Sequence, residues 1–308
     1  MKSWRDYDPE ELERQYNARA SVADFDAEIA RYRELSEACY ASRPVIRDLA
    51  FGDAPTERID YFPAGANAPV LIFVHGGYWR LLGRSDSAFM AAALADHGIS
   101  TAVVEYTLAP EVSLDQIVAE THRAVAWIYA NISTHGGDPE RLFICGSSAG
   151  AQLAAMALTT GWTEELGNPN MPLRGGLLLS GLYDLEPLRH CQPNQWLNLD
   201  AAGALRNSPQ HLTFDQGPEF SIHWGGAETD EFKRQSLDFL RKLKSAGLNA
   251  SGSEIEDRNH FNIVTDLADP SRELFKTLIS MIESPLRASG HPTHTGEPLQ
   301  SCTQPSGG

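Results

Sequence analysis

Leu142-Phe143-Ile144-Cys145-Gly146-Ser147-Ser148-Ala149-Gly150-Ala151-Gln152-Leu153 is the stretch from which the rest of the chain is read. An apolar run that suits a buried strand meets Gly-x-Ser-x-Gly, and small residues at helical spacing follow at once. Strand, sharp turn and helix in that order put a serine at the tip of a strained turn, with its hydroxyl at the end of a sheet. Gly146 and Gly150 leave room for strand and helix to approach closely. The pentapeptide alone is a weak signal, because Gly and Ser are common in loops. Its context makes Ser148 the candidate nucleophile, against a plain strand–helix turn.

Upstream of this elbow, residues 70–74 read as a fully buried strand, 101–106 as the next and 59–62 as a short one. A helix is expected over 85–97, closed by Gly98. Ser113 and Gln116 have the spacing of a capping box, at the head of a helix whose apolar face includes Leu114, Ile117, Val125 and Ile128. Downstream, 176–180 and 219–224 read as strands. The connection between them is longer than a normal strand–helix link, so part of it is expected to cover the site. Phe232, Phe239, Leu240 and Leu243 mark a further helix that Gly247 closes, 253–256 a weaker last strand, and 263–281 the closing helix. Apolar strands alternating with helices imply an α/β fold, its mostly parallel sheet covered on both faces.

Residues 1–50 form a different region, charged and helix-favouring, with Leu12, Tyr16, Phe25, Ile29, Tyr32 and Leu35 as apolar anchors and Asp24 as an N-cap. Such a segment is not stable alone. It must dock on the main domain (51–284) or on a partner subunit, either as packing or as part of a lid. The tail, 285–308, is rich in Pro, Gly, Ser and Thr and is expected to be disordered.

The formal charge of −16, from 41 acidic and 25 basic residues, argues against nucleic-acid and anionic-membrane partners. No apolar run approaches the roughly 18 residues of a membrane span, and the N-terminus lacks the apolar stretch of a signal peptide. Cys39, Cys145, Cys191 and Cys302 are scattered, without metal-ligand spacing, which suits a reducing cytoplasm. Cys145 reads as a small buried thiol. A cytoplasmic protein acting on a small molecule is expected, with no metal or cofactor and with homo-oligomerisation left open.

A serine hydroxyl needs a base to take its proton and a third group to orient that base, and the order expected on this fold is serine, acid, histidine. Outside the tail, which holds His291 and His294, the downstream histidines that fall near the end of the domain are His211, His223 and His260. His223 falls inside a strand, where core packing is the better reading. His260 lies in the polar loop Asp257-Arg258-Asn259-His260-Phe261, where a base belongs. For the acid, Gly225-Gly226-Ala227-Glu228-Thr229-Asp230-Glu231-Phe232 offers three carboxylates. Asp230 has a ready job as helix N-cap and Glu228 has none, so position leans towards Glu228 and leaves Asp230 open. Negative charge on the carbonyl oxygen calls for backbone donors: Ala149 N–H, and Gly77 first or Tyr78 second from His75-Gly76-Gly77-Tyr78-Trp79. His75 precedes the elbow and braces this loop.

With these residues placed, the chain resembles the kynurenine formamidase (arylformamidase) branch of the α/β-hydrolases, near the hormone-sensitive-lipase-type esterases. The resemblance is carried by His75-Gly76-Gly77-Tyr78-Trp79, Leu114-Asp115-Gln116-Ile117-Val118, Gly146-Ser147-Ser148-Ala149-Gly150 and Gly181-Leu182-Tyr183-Asp184-Leu185-Glu186-Pro187. Glu231-Phe232-Lys233-Arg234-Gln235-Ser236 and Asn259-His260-Phe261-Asn262-Ile263-Val264 complete it, and the segment around Tyr16-Asn17 looks similar too.

The resemblance implies an α/β-hydrolase fold and an acid three residues before the Glu-Phe pair. That position is Glu228, where the family usually has Asp, so Asp230 stays the alternative. It also implies hydrolysis of an aryl formamide such as N-formylkynurenine through an acyl-enzyme. The competing readings are a small-acyl or aryl carboxylesterase, an amide or carbamate hydrolase and, from another class, a non-catalytic ligand sensor. Tyr78 and Trp79 either wall the pocket for an aryl substrate or pack the loop. Tyr183 and Asp184 either line the pocket or, for Asp184, cap the next turn.

Overall fold

The apolar runs become β1 (Ile46–Ala50), β2 (Arg58–Phe62), β3 (Ala68–Val74), β4 (Ser100–Val104), β5 (Gly137–Ser147), β6 (Leu173–Leu179), β7 (Glu219–Gly225) and β8 (Ala250–Ile255). In this computed structural model, which describes residues 3–159, 162 and 172–284, they form one sheet ordered β1-β2-β4-β3-β5-β6-β7-β8. β1, β2 and β4 pair antiparallel, and every pairing from β4 through β3 to β8 is parallel. The tail lies outside the described residues. β1 departs from the expectation that places residues 46–50 in the N-terminal helical segment: their half-exposed, charge-bearing pattern hides an edge strand.

Alternation along β3 shows why both faces must be covered. Val70, Ile72 and Val74 enter one apolar cluster, with Ile117 and Val125 of α4 (Leu114–Asn131), Leu153 of α5 (Ala149–Ala157) and Phe239 of α8 (Asp230–Ser245). Leu71 and Phe73 enter the other, with Ile29 and Tyr32 of α2 (Phe25–Ser42), Leu94 of α3 (Ala91–Asp96) and Leu278 of α10 (Glu273–Glu283). Each fully buried side chain of this size contributes roughly 1.5–3 kcal/mol.

Several helices differ from their expected form. Over 85–97 only Ala91–Asp96 is α-helical, after a 3-10 turn at Arg84–Asp86, because Ser87 and the chain around it turn back onto Gly83 and Ser36. At the head of α4, Ser113 Oγ accepts from Gln116 N at 3.3 Å, but the Gln116 amide reaches forward to Glu120, so half of the capping box forms. The closing helix is broken into α9 (Asn262–Thr265), a 3-10 turn at Asp266–Ala268 and α10. Asp269-Pro270 stands at the break, where proline disfavours helical backbone in the residue before it. Asp24 does cap α2, accepting from Ala27 N at 3.0 Å.

The parallel register aligns the strand ends that matter. Val74 pairs with Gly146, Ser147 with Leu179, Leu179 with His223 and Gly225 with Ile255. The loops after β3, β5, β6, β7 and β8 therefore open on one edge of the sheet, where open α/β sheets place their ligands.

Candidate active site

Ser148 sits where β5 turns into α5, with φ 57 and ψ −120. An added Cβ on Gly146 would lie 2.2 Å from Gly150 O, and one on Gly150 would lie 2.1 Å from Val74 O. Both glycines are thus required by close backbone approach, the reason sequence assigned them. The serine is 6 % exposed. Its Oγ is 2.9 Å from His260 Nε2, and His260 Nδ1 is 2.9 Å from Glu228 Oε2. The structure brings these three residues together from the ends of β5, β8 and β7.

Asp230 is not part of this chain of bonds. It is exposed as the first residue of α8, and Thr229, not Asp230, is the N-cap. The other oxygen of Glu228 accepts from Ser180 Oγ and from Gly225 N, each at 2.5 Å. Ser180 went unnoticed in the sequence, since a serine at a strand end has no signature of its own.

The loop after β3 lies against the elbow. A Cβ on Gly76 would stand 2.7 Å from Ser147 O and 3.3 Å from Ser148 Cβ. Gly77, Tyr78 and Trp79 all have positive φ, at 98, 51 and 56, a costly geometry that neighbouring contacts must impose. His75 supplies some of them, with Nδ1 2.9 Å from Gly76 O and Nε2 3.2 Å from Glu105 Oε1. Burial raises the Glu105 pKa, but the bond to His75 and the charges of His75 and Arg84 outweigh it and hold the carboxyl below its usual value. As the first residue of its helix, Ala149 has an amide with no intrahelical acceptor. The Gly77 amide has no protein acceptor among the described residues. Gly77 borders the same cavity as Ser148, and Ala149 follows the serine directly in the chain.

A cavity of about 630 Å³ opens on Ser148 and His260. Tyr78 borders it; Trp79 does not. The Trp79 ring is fully buried and donates through Nε1 to Gln152 Oε1 at 3.0 Å, so it packs the loop. Tyr183 is likewise removed from the cavity, stacked on Phe239 with ring centroids 4.2 Å apart. Asp184 accepts from Glu186 N at 3.2 Å within the loop, but it does not cap the next turn, whose N-cap is Glu186. Trp79 and Tyr183 were expected to touch substrate; the apolar core claims both rings instead. His223 is a core residue, bonded to Ser221 and Ser253, with its pKa pushed down to about 4 by burial. His211 lies near Asp184, away from Ser148.

Two further regions wall the cavity. From the long connection, which holds α6 (Asn194–Leu197) and α7 (Ala201–Arg206), come Gln192, Pro193 and Trp196, and Trp196 Nε1 donates to Tyr78 O at 3.0 Å. From the N-terminal segment come α1 (Pro9–Tyr16) and α2. Tyr78 Oη donates to Tyr16 O at 2.5 Å, while Tyr16 Oη donates to Glu231 Oε2 at 2.6 Å and accepts from Gln235 Nε2 at 2.8 Å. Burial and the Glu231 carboxylate push the Tyr16 pKa well up, so it stays a donor. On the other side, Tyr32 Oη donates to Phe261 O at 2.6 Å and Asn259 Nδ2 donates to Glu28 Oε1 at 2.7 Å. The N-terminal helices therefore grip both the loop after β3 and the loop that carries His260. Among the described residues no group of His, Cys, Asp or Glu could hold a metal ion, and no helix is long and apolar enough to cross a membrane.

Comparison with known proteins bears on this geometry. Residues 61–174 match the BD-FAE family model. Kynurenine formamidase of Danio rerio is 32 % identical over 296 residues, covering 92 % of this chain and 99 % of that protein. The chain belongs to the kynurenine formamidase family. A crystal structure from Silicibacter sp. TM1040, provisionally described as a thioesterase, is 26 % identical with TM-score 0.77, covering 87 % of this chain and 99 % of that one. A Pyrobaculum calidifontis esterase shares the fold at TM-score 0.68 with 17 % identity, covering 91 % and 98 %. The chain is accordingly an enzyme, a serine hydrolase of the α/β-hydrolase fold. Within the kynurenine formamidase family, this chain carries Glu228 as the carboxylate that meets His260.

Proposed function

We propose that this enzyme hydrolyses an aryl formamide of the N-formylkynurenine type, with Ser148 as nucleophile, His260 as general base and acid, and Glu228 as the group that orients the imidazole. The supporting observation is the unbroken line Ser148 Oγ–His260 Nε2 and His260 Nδ1–Glu228 Oε2, each step 2.9 Å, in a chain 32 % identical to the zebrafish kynurenine formamidase over nearly its whole length.

In the proposed reaction His260 takes the Ser148 proton as Oγ attacks the formyl carbon. The Gly77 and Ala149 amides receive the charge on the carbonyl oxygen, each such donor being worth roughly 3 kcal/mol of barrier. Protonated His260 then gives its proton to the leaving aryl amine, and water repeats the sequence on the formyl-enzyme. These steps draw only on side chains, backbone and water. A formyl group needs little of a cavity of about 630 Å³, so most of the volume is assigned to the leaving group. The same volume favours, as the second reading, a carboxylesterase for small acyl or aryl esters. Free, buried Cys39, Cys145 and Cys191 support a reducing, cytoplasmic setting.

The test compares turnover of N-formylkynurenine with nitrophenyl esters of graded acyl length, using Ser148→Ala as blank. The reading expects formamide cleavage and a steep fall with acyl length. Preference for long acyl chains with no formamide cleavage would overturn it.

A further inference from the structure

Ser180 directly follows β6 in left-handed backbone, φ 52, and is fully buried. A glycine would adopt that backbone with less strain, and one follows at once in Gly181. A non-glycine residue held in such geometry at a site calls for a reason in its side chain. Among the described residues the Ser180 hydroxyl has one partner, Glu228 Oε1, at 2.5 Å. The Gly225 amide, at the end of the neighbouring strand β7, donates to the same oxygen at 2.5 Å. A Cβ added to Gly225 would lie 3.1 Å from it, so the carboxylate rests directly on the end of β7. Two donors from two adjacent strand ends thus clamp one oxygen, and the other, Oε2, is left to His260 Nδ1.

A glutamate has one more rotatable bond than an aspartate, and an unclamped one would spread over rotamers that leave the imidazole unoriented. We propose that Ser180 is a positioning residue: its hydroxyl, with the Gly225 amide, sets the rotation of the Glu228 carboxylate so that Oε2 meets His260. The inference rests on the reading of Glu228 as the acid of the reaction. Ser180 itself touches no reacting atom and acts through Glu228.

Ser180→Ala and Ser180→Gly are compared with wild type and Glu228→Gln, measuring kcat and KM on a nitrophenyl acetate and an aryl formamide, and the melting temperature of each variant. Both Ser180 variants are expected to lose roughly 10- to 100-fold in kcat on both substrates with KM within about twofold, the size of a lost hydrogen bond to a charged group. Ser180→Gly, relieved of the left-handed strain, is expected to melt no lower than Ser180→Ala. A purely structural role would make activity follow stability. Ser180→Gly turning over within about twofold of wild type would therefore overturn the proposal, and this variant carries the test even if Ser180→Ala fails to fold. If Glu228→Gln abolishes turnover while both Ser180 variants keep it, the positioning role alone fails. If Glu228→Gln stays active, the reading of the acid fails with it.

Discussion

Ser148 and Ser180 occupy equivalent places, one residue past the ends of the neighbouring strands β5 and β6. Both are buried, with φ 57 and 52. Each amide extends the parallel ladder, Ser148 N to Leu179 O and Ser180 N to His223 O, both at 2.8 Å. Their hydroxyls end one line of hydrogen bonds, Ser148–His260–Glu228–Ser180. Backbone strain and burial therefore do not separate their roles. The partner does: Ser148 faces an imidazole that can take its proton, whereas Ser180 faces a carboxylate whose charge is needed at His260. In the proposed reaction only the first serine acts as nucleophile, and the second holds and orients.

The comparison is broken most directly at Ser148. Ser148→Ala is expected to lower kcat by roughly 10⁴-fold or more with the fold intact, read by steady-state turnover alongside a melting curve. Equal residual activity in Ser148→Ala and Ser180→Ala would erase the distinction. One bond along, Glu228→Gln should cost roughly 10³- to 10⁴-fold in kcat, because a neutral amide neither fixes the imidazole tautomer nor balances its charge. Asp230→Asn should stay within about twofold, since Asp230 stands exposed at the start of α8. The reverse pattern would move the acid to Asp230.

A smaller loss is expected on the opposite wall. Tyr78→Phe removes the donor to Tyr16 O and loosens three consecutive residues of positive φ, so kcat should fall roughly tenfold. A change in KM alone would mean that Tyr78 touches substrate without steadying the loop.

The least effect on turnover and the clearest effect on pH belong to His223, beside Ser180 in the sheet. Its imidazole is buried and neutral, with its pKa pushed down to about 4 by burial. Between about pH 6.5 and 4 the unfolded chain takes up a proton that the folded chain refuses. Stability is thus fully present above about pH 6.5 and falls on acidification through that window, by on the order of 3 kcal/mol. His223→Gln should flatten this part of the profile of melting temperature against pH. An unchanged slope would place the acid sensitivity elsewhere.

Much of the scaffold was legible because its signals are local. The strand runs announced buried strands, Gly146 and Gly150 announced close approach around Ser148, and His260 stood out as a polar-loop histidine after the last strand. The edge strand β1, with its Arg47 and Asp48, carried no apolar run to reveal it. Trp79 and Tyr183 were misplaced because an aromatic beside a motif suits a pocket and a core equally well. What puts them in the core is Gln152 against one ring and Phe239 against the other. The N-terminal segment read only as a helix pair in need of a surface. Its hold on Tyr78 and on the His260 loop spans sequence distances that no local pattern encodes.

Alone, then, the sequence determined the fold class, the serine at the elbow and the histidine loop, since each depends on residues close together in the chain and on periodicity. Position in the sequence already leaned towards Glu228, but its contact with His260, the clamp from Ser180 and the wall formed by α1 and α2 came only with tertiary structure. They depend on which strand ends lie side by side, and that follows from the register of the parallel sheet rather than from any one segment.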